Sequence, residues 1–337
     1  MKTTVLATLF TVAATASMAQ DVTLRIHHFM SDRSVLHAET LTALEQALES
    51  KSDGRIAVEL FASMSLGGTP ADLYDQAVDG AVDIILTLPG YTAGRFPQTE
   101  VFELPFLMED VRATGGAFYD LVQSDLQDSE FDEAKILGAW VHGRGVLHSK
   151  TPITSLEDMA GRETRGPTRA ITNLLGELGA VPVGMPLPAI PENLAKGVIT
   201  STVLPWEITP SIRLSELVTH HTEFDSPKAL YTATFILAMN WDAYDAMPDD
   251  LRALLDAETG KTFSMDASST MEAADTVGRQ IATDAGNSFV LLDPAEVDRW
   301  IAAAQPVYDK WIAASADEGF DGAATVEKAR ALIAANQ

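Results

Sequence analysis

The hydrophobic period of this chain switches repeatedly between two and about 3.6 residues, and that switching restricts the fold more than any other feature. Residues 22–29 set Val22, Leu24, Ile26 and His28 on one face, as a strand does, and an amphipathic helical segment follows over 35–50. Asp53-Gly54 makes a turn, 56–61 alternates again, and Leu66-Gly67-Gly68-Thr69-Pro70 leads into a helix capped by Thr69 and opened by Pro70. A third strand over 82–88 stops at Pro89-Gly90. The order βαβαβ predicts a sheet with parallel strands covered by helices.

The middle of the chain repeats this logic. Segments 136–142 and 145–149 read as strands, 156–160 as a short helix, and Thr164-Arg165-Gly166 as the end of another extended run. Helix over 170–178, strand over 181–185, a proline-started helix over 191–196 and strand over 202–204 follow. The apolar run 231–239 suits a central strand, and 249–280 keeps a helical period broken only at Gly260. A helix of that length can bridge two lobes, and the residues from 294 onward are helical and alanine-rich. The expected fold is therefore α/β, with two lobes, discontinuous domains and a long helix bridging them. The expected division is 1–19 as a signal peptide, 20–142 plus about 231–270 as one lobe, and 143–230 plus about 271–337 as the other.

The signal expectation rests on Lys2, an apolar stretch over 5–16 and the small-x-small triplet Ser17-Met18-Ala19. That stretch is shorter than the roughly 20 apolar residues of a bilayer span, and no later run is longer without a charge. The mature chain is thus expected to be soluble and exported. It has 0 cysteines, which excludes disulfides and thiolate chemistry. In the full sequence 48 acidic residues outnumber 23 basic ones, for a net charge of −25. Nucleic acid and anionic membrane surfaces are poor partners for such a field. An anionic ligand requires a local arginine or a cluster of backbone N–H donors, so each buried arginine is informative.

Open α/β lobes bind ligands outside the carboxyl ends of their strands. The candidates are therefore His28 and Phe29, 88–92, 142–144, 165–168 and 205–207. Adjacent histidines of a strand face opposite ways, so neither His27-His28 nor His220-His221 forms a metal pair by spacing. His28 or His142 as a hydrogen-bond donor to an acid fits better. Neither a nucleophile elbow, a phosphate loop, an HExxH sequence nor a dinucleotide fingerprint occurs, and no cofactor is called for.

Asp53-Gly54-Arg55-Ile56, Leu66-Gly67-Gly68, Gly80-x-x-Asp83, Phe102-Glu103-Leu104-Pro105-Phe106 and Gly161-x-x-x-Arg165 occur in that order, followed by Gly179-Ala180-x-Pro182-Val183-x-Met185-Pro186. Together they resemble the solute receptors of tripartite ATP-independent periplasmic (TRAP) transporters over nearly the whole chain after the signal. The resemblance implies the periplasmic binding protein fold and a receptor that closes around a small organic acid. Its partners would be that acid and the membrane permease subunits, with the receptor a monomer unless it dimerises. It also implies that Arg165 anchors a carboxylate, an interaction to which a guanidinium contributes two parallel bonds. Arg144 lies near the family's second arginine, one residue off, and Arg169 is a third cation close by.

The chain departs from the family where an asparagine contact is usual, having Thr200-Ser201 and then Leu204-Pro205-Trp206-Glu207, and where Ala189 and Pro191 replace polar residues. Trp206, Tyr91 and Phe29 then offer flat walls, while Glu207 pairs either with a ligand hydroxyl or with Arg165 or Arg144. Fewer polar contacts and an added tryptophan favour a monocarboxylate of benzoate or mandelate size over a polyhydroxylated sugar acid. The rival readings are an exported hydrolase acting on anionic substrates and a metal-binding receptor.

Overall fold

The structure, a computed structural model, describes residues 20–337. The expected signal at 1–19 lies outside them. Two sheets organise the described chain. The first has the order β2-β1-β3-β10-β4 and contains β1 (Val22–His28), β2 (Ile56–Phe61), β3 (Ile84–Thr87), β4 (Ala134–Val141) and β10 (Thr234–Asn240). The second has the order β11-β9-β5-β8-β6-β7 and contains β5 (Val146–Ser149), β6 (Glu163–Gly166), β7 (Val181–Gly184), β8 (Ser201–Leu204), β9 (His220–Phe224) and β11 (Ser288–Leu292).

In the first sheet β1 pairs in parallel with both β2 and β3, the arrangement the βαβαβ order predicts. The long apolar run supplies β10, which inserts antiparallel between β3 and β4. All seven of its residues are buried, as a central strand covered on both faces requires. The chain passes from the first sheet to the second after β4, returns through 225–233 into β10, and passes again along the helix Lys261–Asp284. Gly260 separates that bridging helix from Asp249–Glu258, with φ 86°. Only glycine adopts such a backbone without strain, which is why the helical period breaks there.

The bridging helix packs on Val111–Leu121 and β4 of the first layer, and on the turn Thr209–Ile212 of the second. One correction concerns the C-terminus. The expected division assigned everything after about residue 271 to the second lobe, but the last helix, Gly322–Ala335, packs on Val111–Leu121 beside the first sheet. The helix Pro294–Ser315 before it packs on Arg169–Glu177 of the second layer. Among the described residues no helix is long and apolar enough to cross a membrane.

Candidate functional site

The carboxyl ends of β1, β3, β4, β6 and β8 converge with the start of β10 on one narrow cavity of about 40 Å³ between the two sheets. Phe29 and Met30 enter after β1, Leu88 and Tyr91 after β3, His142 after β4, Pro167 after β6, and Pro205, Glu207 and Ile208 after β8. Tyr231 and Phe235 close it from β10 and the residues before it, and Leu187 from the loop after β7. The wall is mainly apolar and aromatic, with Arg165, Glu207 and His142 as its ionisable members besides the two tyrosines.

Arg165 sits on β6 in register with Val183 on β7 and Thr202 on β8, so its backbone is held on both sides. The residue is 1% exposed. Its Nε donates to the Met185 carbonyl at 2.8 Å and its Nη1 to the Val203 carbonyl at 3.3 Å. Among the described residues it forms no ion pair. Burial lowers its pKa from the usual guanidinium value, opposed by the neighbouring Tyr91 and Tyr231 phenols. An arginine nevertheless keeps its proton, so a cation stands in an apolar wall.

Tyr91 and Phe29 pack edge to face at 5.1 Å. The Tyr91 hydroxyl accepts the Leu187 N–H at 3.1 Å, linking the layers across the cleft. Tyr231 was not singled out from the sequence, because it read as the first residue of a strand; the strand starts at Thr234 instead. Its ring fits over Gly145, where a Cβ would come within 2.0 Å of it, and meets His142 edge to face at 5.3 Å. The His142 Nδ1–H donates to the Gly143 carbonyl at 2.6 Å. That bond leaves Nε2 as an acceptor, while burial lowers the imidazole pKa to about 4. In the ligand-free protein His142 thus presents an acceptor to the cavity, not the donor to an acid that the sequence suggested.

Four other expectations need correction. His28 is buried outside the cavity, its Nε2 bonded to His37 Nδ1 at 2.9 Å and its pKa pushed down to about 3 by burial. Arg144 donates to the carbonyls of Ser226, Glu109 and Pro227 at 3.1, 3.0 and 2.7 Å, tying together chain segments at the crossover between layers. Arg169 is committed to Glu100 at 2.8 Å and to Glu318 at 2.7 Å. Trp206 turns away from Arg165: its Nε1 donates to Glu223 at 2.9 Å and its ring packs among His148, His221 and Phe289. Trp206 and Arg144 share a separate hollow with Glu223 and Asp275.

Glu207 takes the opposite direction to Trp206 and lines the cavity. It makes no ion pair with Arg165 or Arg144, so two of its three expected pairings are absent from the structure. Its backbone N–H donates to Asp275 Oδ1 on the bridging helix at 2.8 Å. Burial, reinforced by Asp275, raises its pKa well above the usual carboxyl value. Among the described residues no His, Cys, Asp or Glu cluster is arranged to hold a metal ion. The His148 and His221 rings bond each other through their Nδ1 atoms at 2.7 Å, inside the second layer.

The model of bacterial extracellular solute-binding protein family 7 matches residues 26–314. A TRAP solute-binding protein from Rhodoferax ferrireducens T118, solved with copurified benzoate, is 45% identical; the match covers 93% of this chain and 98% of that one, with a TM-score of 0.91. A marine metagenome TRAP solute-binding protein specific for aromatic acid ligands, solved with 3-hydroxybenzoate, is 36% identical; the match covers 95% and 100%, with a TM-score of 0.92. The ectoine/5-hydroxyectoine-binding periplasmic protein of Ruegeria pomeroyi is 23% identical over 332 residues, 96% of this chain and 93% of that protein.

Proposed function

The chain belongs to family 7 of the bacterial extracellular solute-binding proteins, and on that footing we propose that Arg165 anchors the carboxylate of an aromatic acid in the cavity. As a TRAP solute-binding protein it takes a small organic acid outside the cytoplasm and delivers it to membrane permease components. The family is one of receptors, and the reading here is capture without chemistry.

The observation that carries the proposal is Arg165 itself, a cation 1% exposed and bonded to backbone carbonyls rather than to a carboxylate. An unpaired buried charge is costly, and a ligand carboxylate neutralises it through two parallel bonds. Phe29, Tyr91, Tyr231 and Phe235 supply flat apolar surface for a ring. Benzoate and 3-hydroxybenzoate in the two related structures point the same way.

Capture in this reading is a hinge closure of two lobes, 20–142 with about 231–270 against 143–230 with most of the remainder, bending at the crossovers and along the bridging helix. Residues 1–19 act as the cleavable export signal, leaving Gln20 first, which mass spectrometry of the secreted protein tests directly.

Calorimetric titration with benzoate, succinate and gluconate tests the ligand class. Benzoate should bind tightest, and Arg165→Gln should weaken it at least about a hundredfold while the fold survives by circular dichroism. Full benzoate affinity in that variant would remove Arg165 as the anchor, and a preference for gluconate would remove the aromatic class.

A further inference from the structure

Glu207 is 4% exposed, lines the cavity, and has an Oε2 atom without a hydrogen-bond partner among the described residues. Its main chain is fixed from behind. Asp275 accepts its N–H at 2.8 Å, and Gly278 on the same helix lets the Trp206 carbonyl approach so closely that a Cβ there would stand 2.1 Å from the oxygen. The residue is therefore presented to the cavity from a rigid element, and among the described residues its carboxyl forms no ion pair. Burial, reinforced by Asp275, raises its pKa well above the usual carboxyl value, which favours the protonated form. A protonated carboxyl offers one O–H donor and a carbonyl acceptor, the complement of a hydroxyl group that both donates and accepts.

We propose that Glu207 is the specificity-determining residue that reads a hydroxyl on the ligand, so that the preferred solutes are hydroxylated aromatic acids rather than their unsubstituted parents. This rests on the reading that Arg165 takes the carboxylate of an aromatic acid. A ligand lacking the hydroxyl leaves a buried polar group unpaired, and such a group penalises binding more than the bond itself favours it. The His142 Nε2 is another acceptor on the same wall, but as a bare acceptor it satisfies only half of a hydroxyl's bonding capacity.

The test is calorimetric titration of the full mature chain with benzoate, its three monohydroxy isomers, phenylacetate and mandelate. At least one hydroxylated acid should bind about tenfold or more tightly than its parent. Glu207→Leu should erase that ratio. Glu207→Gln, which preserves one donor and one acceptor in the same shape, should retain it. A ratio near one in the wild type overturns the proposal, as does a preference that survives Glu207→Leu, which would assign the hydroxyl to His142 or another group. Failure of every aromatic acid to bind the wild type instead removes the underlying reading of the cavity, a result distinct from loss of the hydroxyl preference alone.

Discussion

The Thr168 hydroxyl donates to Glu103 Oε2 at 2.5 Å across the cleft, joining the residue before the helix Arg169–Glu177 in the second layer to the buried Phe102-Glu103-Leu104-Pro105-Phe106 turn of the first. The other Glu103 oxygen accepts the Thr234 N–H at 3.1 Å and its hydroxyl at 3.0 Å, at the start of β10. One carboxyl thus connects the central strand of the first sheet to the residues immediately after Arg165. With Arg169 on Glu100 and Tyr91 on Leu187, it forms a set of contacts that hold the layers together around the cavity.

Glu103 is expected to make stability depend on pH. Burial raises its pKa to about 7 against the bonds it accepts, whereas an unfolded glutamate titrates near roughly 4.3. The folded state therefore holds the proton more tightly, and this contribution is fully present below the unfolded pKa and is lost as pH rises through about 7. Buried His28 and His142, with pKa values lowered to about 3 and about 4, act with the opposite sign as pH falls below the usual histidine value. The comparison of wild type with Glu103→Gln isolates the glutamate: from pH 5 to pH 8 wild type should lose on the order of 2 kcal/mol relative to the variant in urea unfolding. A difference independent of pH would show that Glu103 does not titrate in this window.

Gly90 approaches Thr168 so closely that a Cβ would stand 2.4 Å from its Cγ2 and 2.7 Å from its Cβ. These atoms belong to opposite sides of the cleft, so Gly90→Ala should hold the lobes apart rather than disturb either core. Affinity for the best-binding acid is expected to fall about tenfold or more, with little change in the melting temperature of the ligand-free protein. Small-angle scattering supplies the second measurement, since saturating ligand should compact the wild type more than the variant. Equal affinity and equal compaction would mean that the contact yields easily.

Arg169→Ala should weaken binding without changing selectivity. The partner it abandons, Glu100, has a side chain 4% exposed, while the arginine side chain is 32% exposed, so the variant leaves a buried carboxyl unpaired. Destabilisation of about 2 kcal/mol is expected, below the fully buried case because solvent reaches the arginine. Since Arg169 holds the two layers together, the dissociation constants of all acids should rise by a similar factor. A selective loss for one acid would put Arg169 in contact with the ligand after all.

The strand order at the start of the chain, the central β10, the break at Gly260 and the clustering of site residues at strand ends were legible because each follows from period, glycine conformation or sheet geometry. β9 and β11 were not. β9 buries His221 and Thr222, polar residues that fold inside only because Thr222 bonds the Ile153 carbonyl and His221 bonds His148, partners distant in sequence. β11 carries the exposed Leu291 at the sheet edge and completes its pairing only alongside β9. The cavity wall was half legible: the sequence picked out Arg165, Glu207, Tyr91 and Phe29, while the partners that occupy Arg144, Arg169 and His28 become visible only in three dimensions. Tyr231 carried a signal too, as a hydroxyl-bearing residue at the start of the apolar run 231–239.

Trp206 gives the sharpest contrast between the two kinds of reading. As a strand-end aromatic it suggested a wall for the ligand, yet its ring lies between His148 at 4.8 Å and His221 at 4.7 Å, with its N–H on Glu223. Both residues lie in the turn after β8, closed by the Thr209 N–H on the Trp206 carbonyl at 3.1 Å, and there Glu207 lines the cavity while Trp206 packs into the second layer's interior. Trp206→Phe should then lower stability by about 1–3 kcal/mol, through lost volume and one lost bond to Glu223, whose oxygens Arg279 still holds, while the order of affinities across the aromatic acids stays as in wild type. Chemical denaturation and calorimetric titration check the two halves separately. A reordering of ligand preference with unchanged stability would return Trp206 to the binding wall.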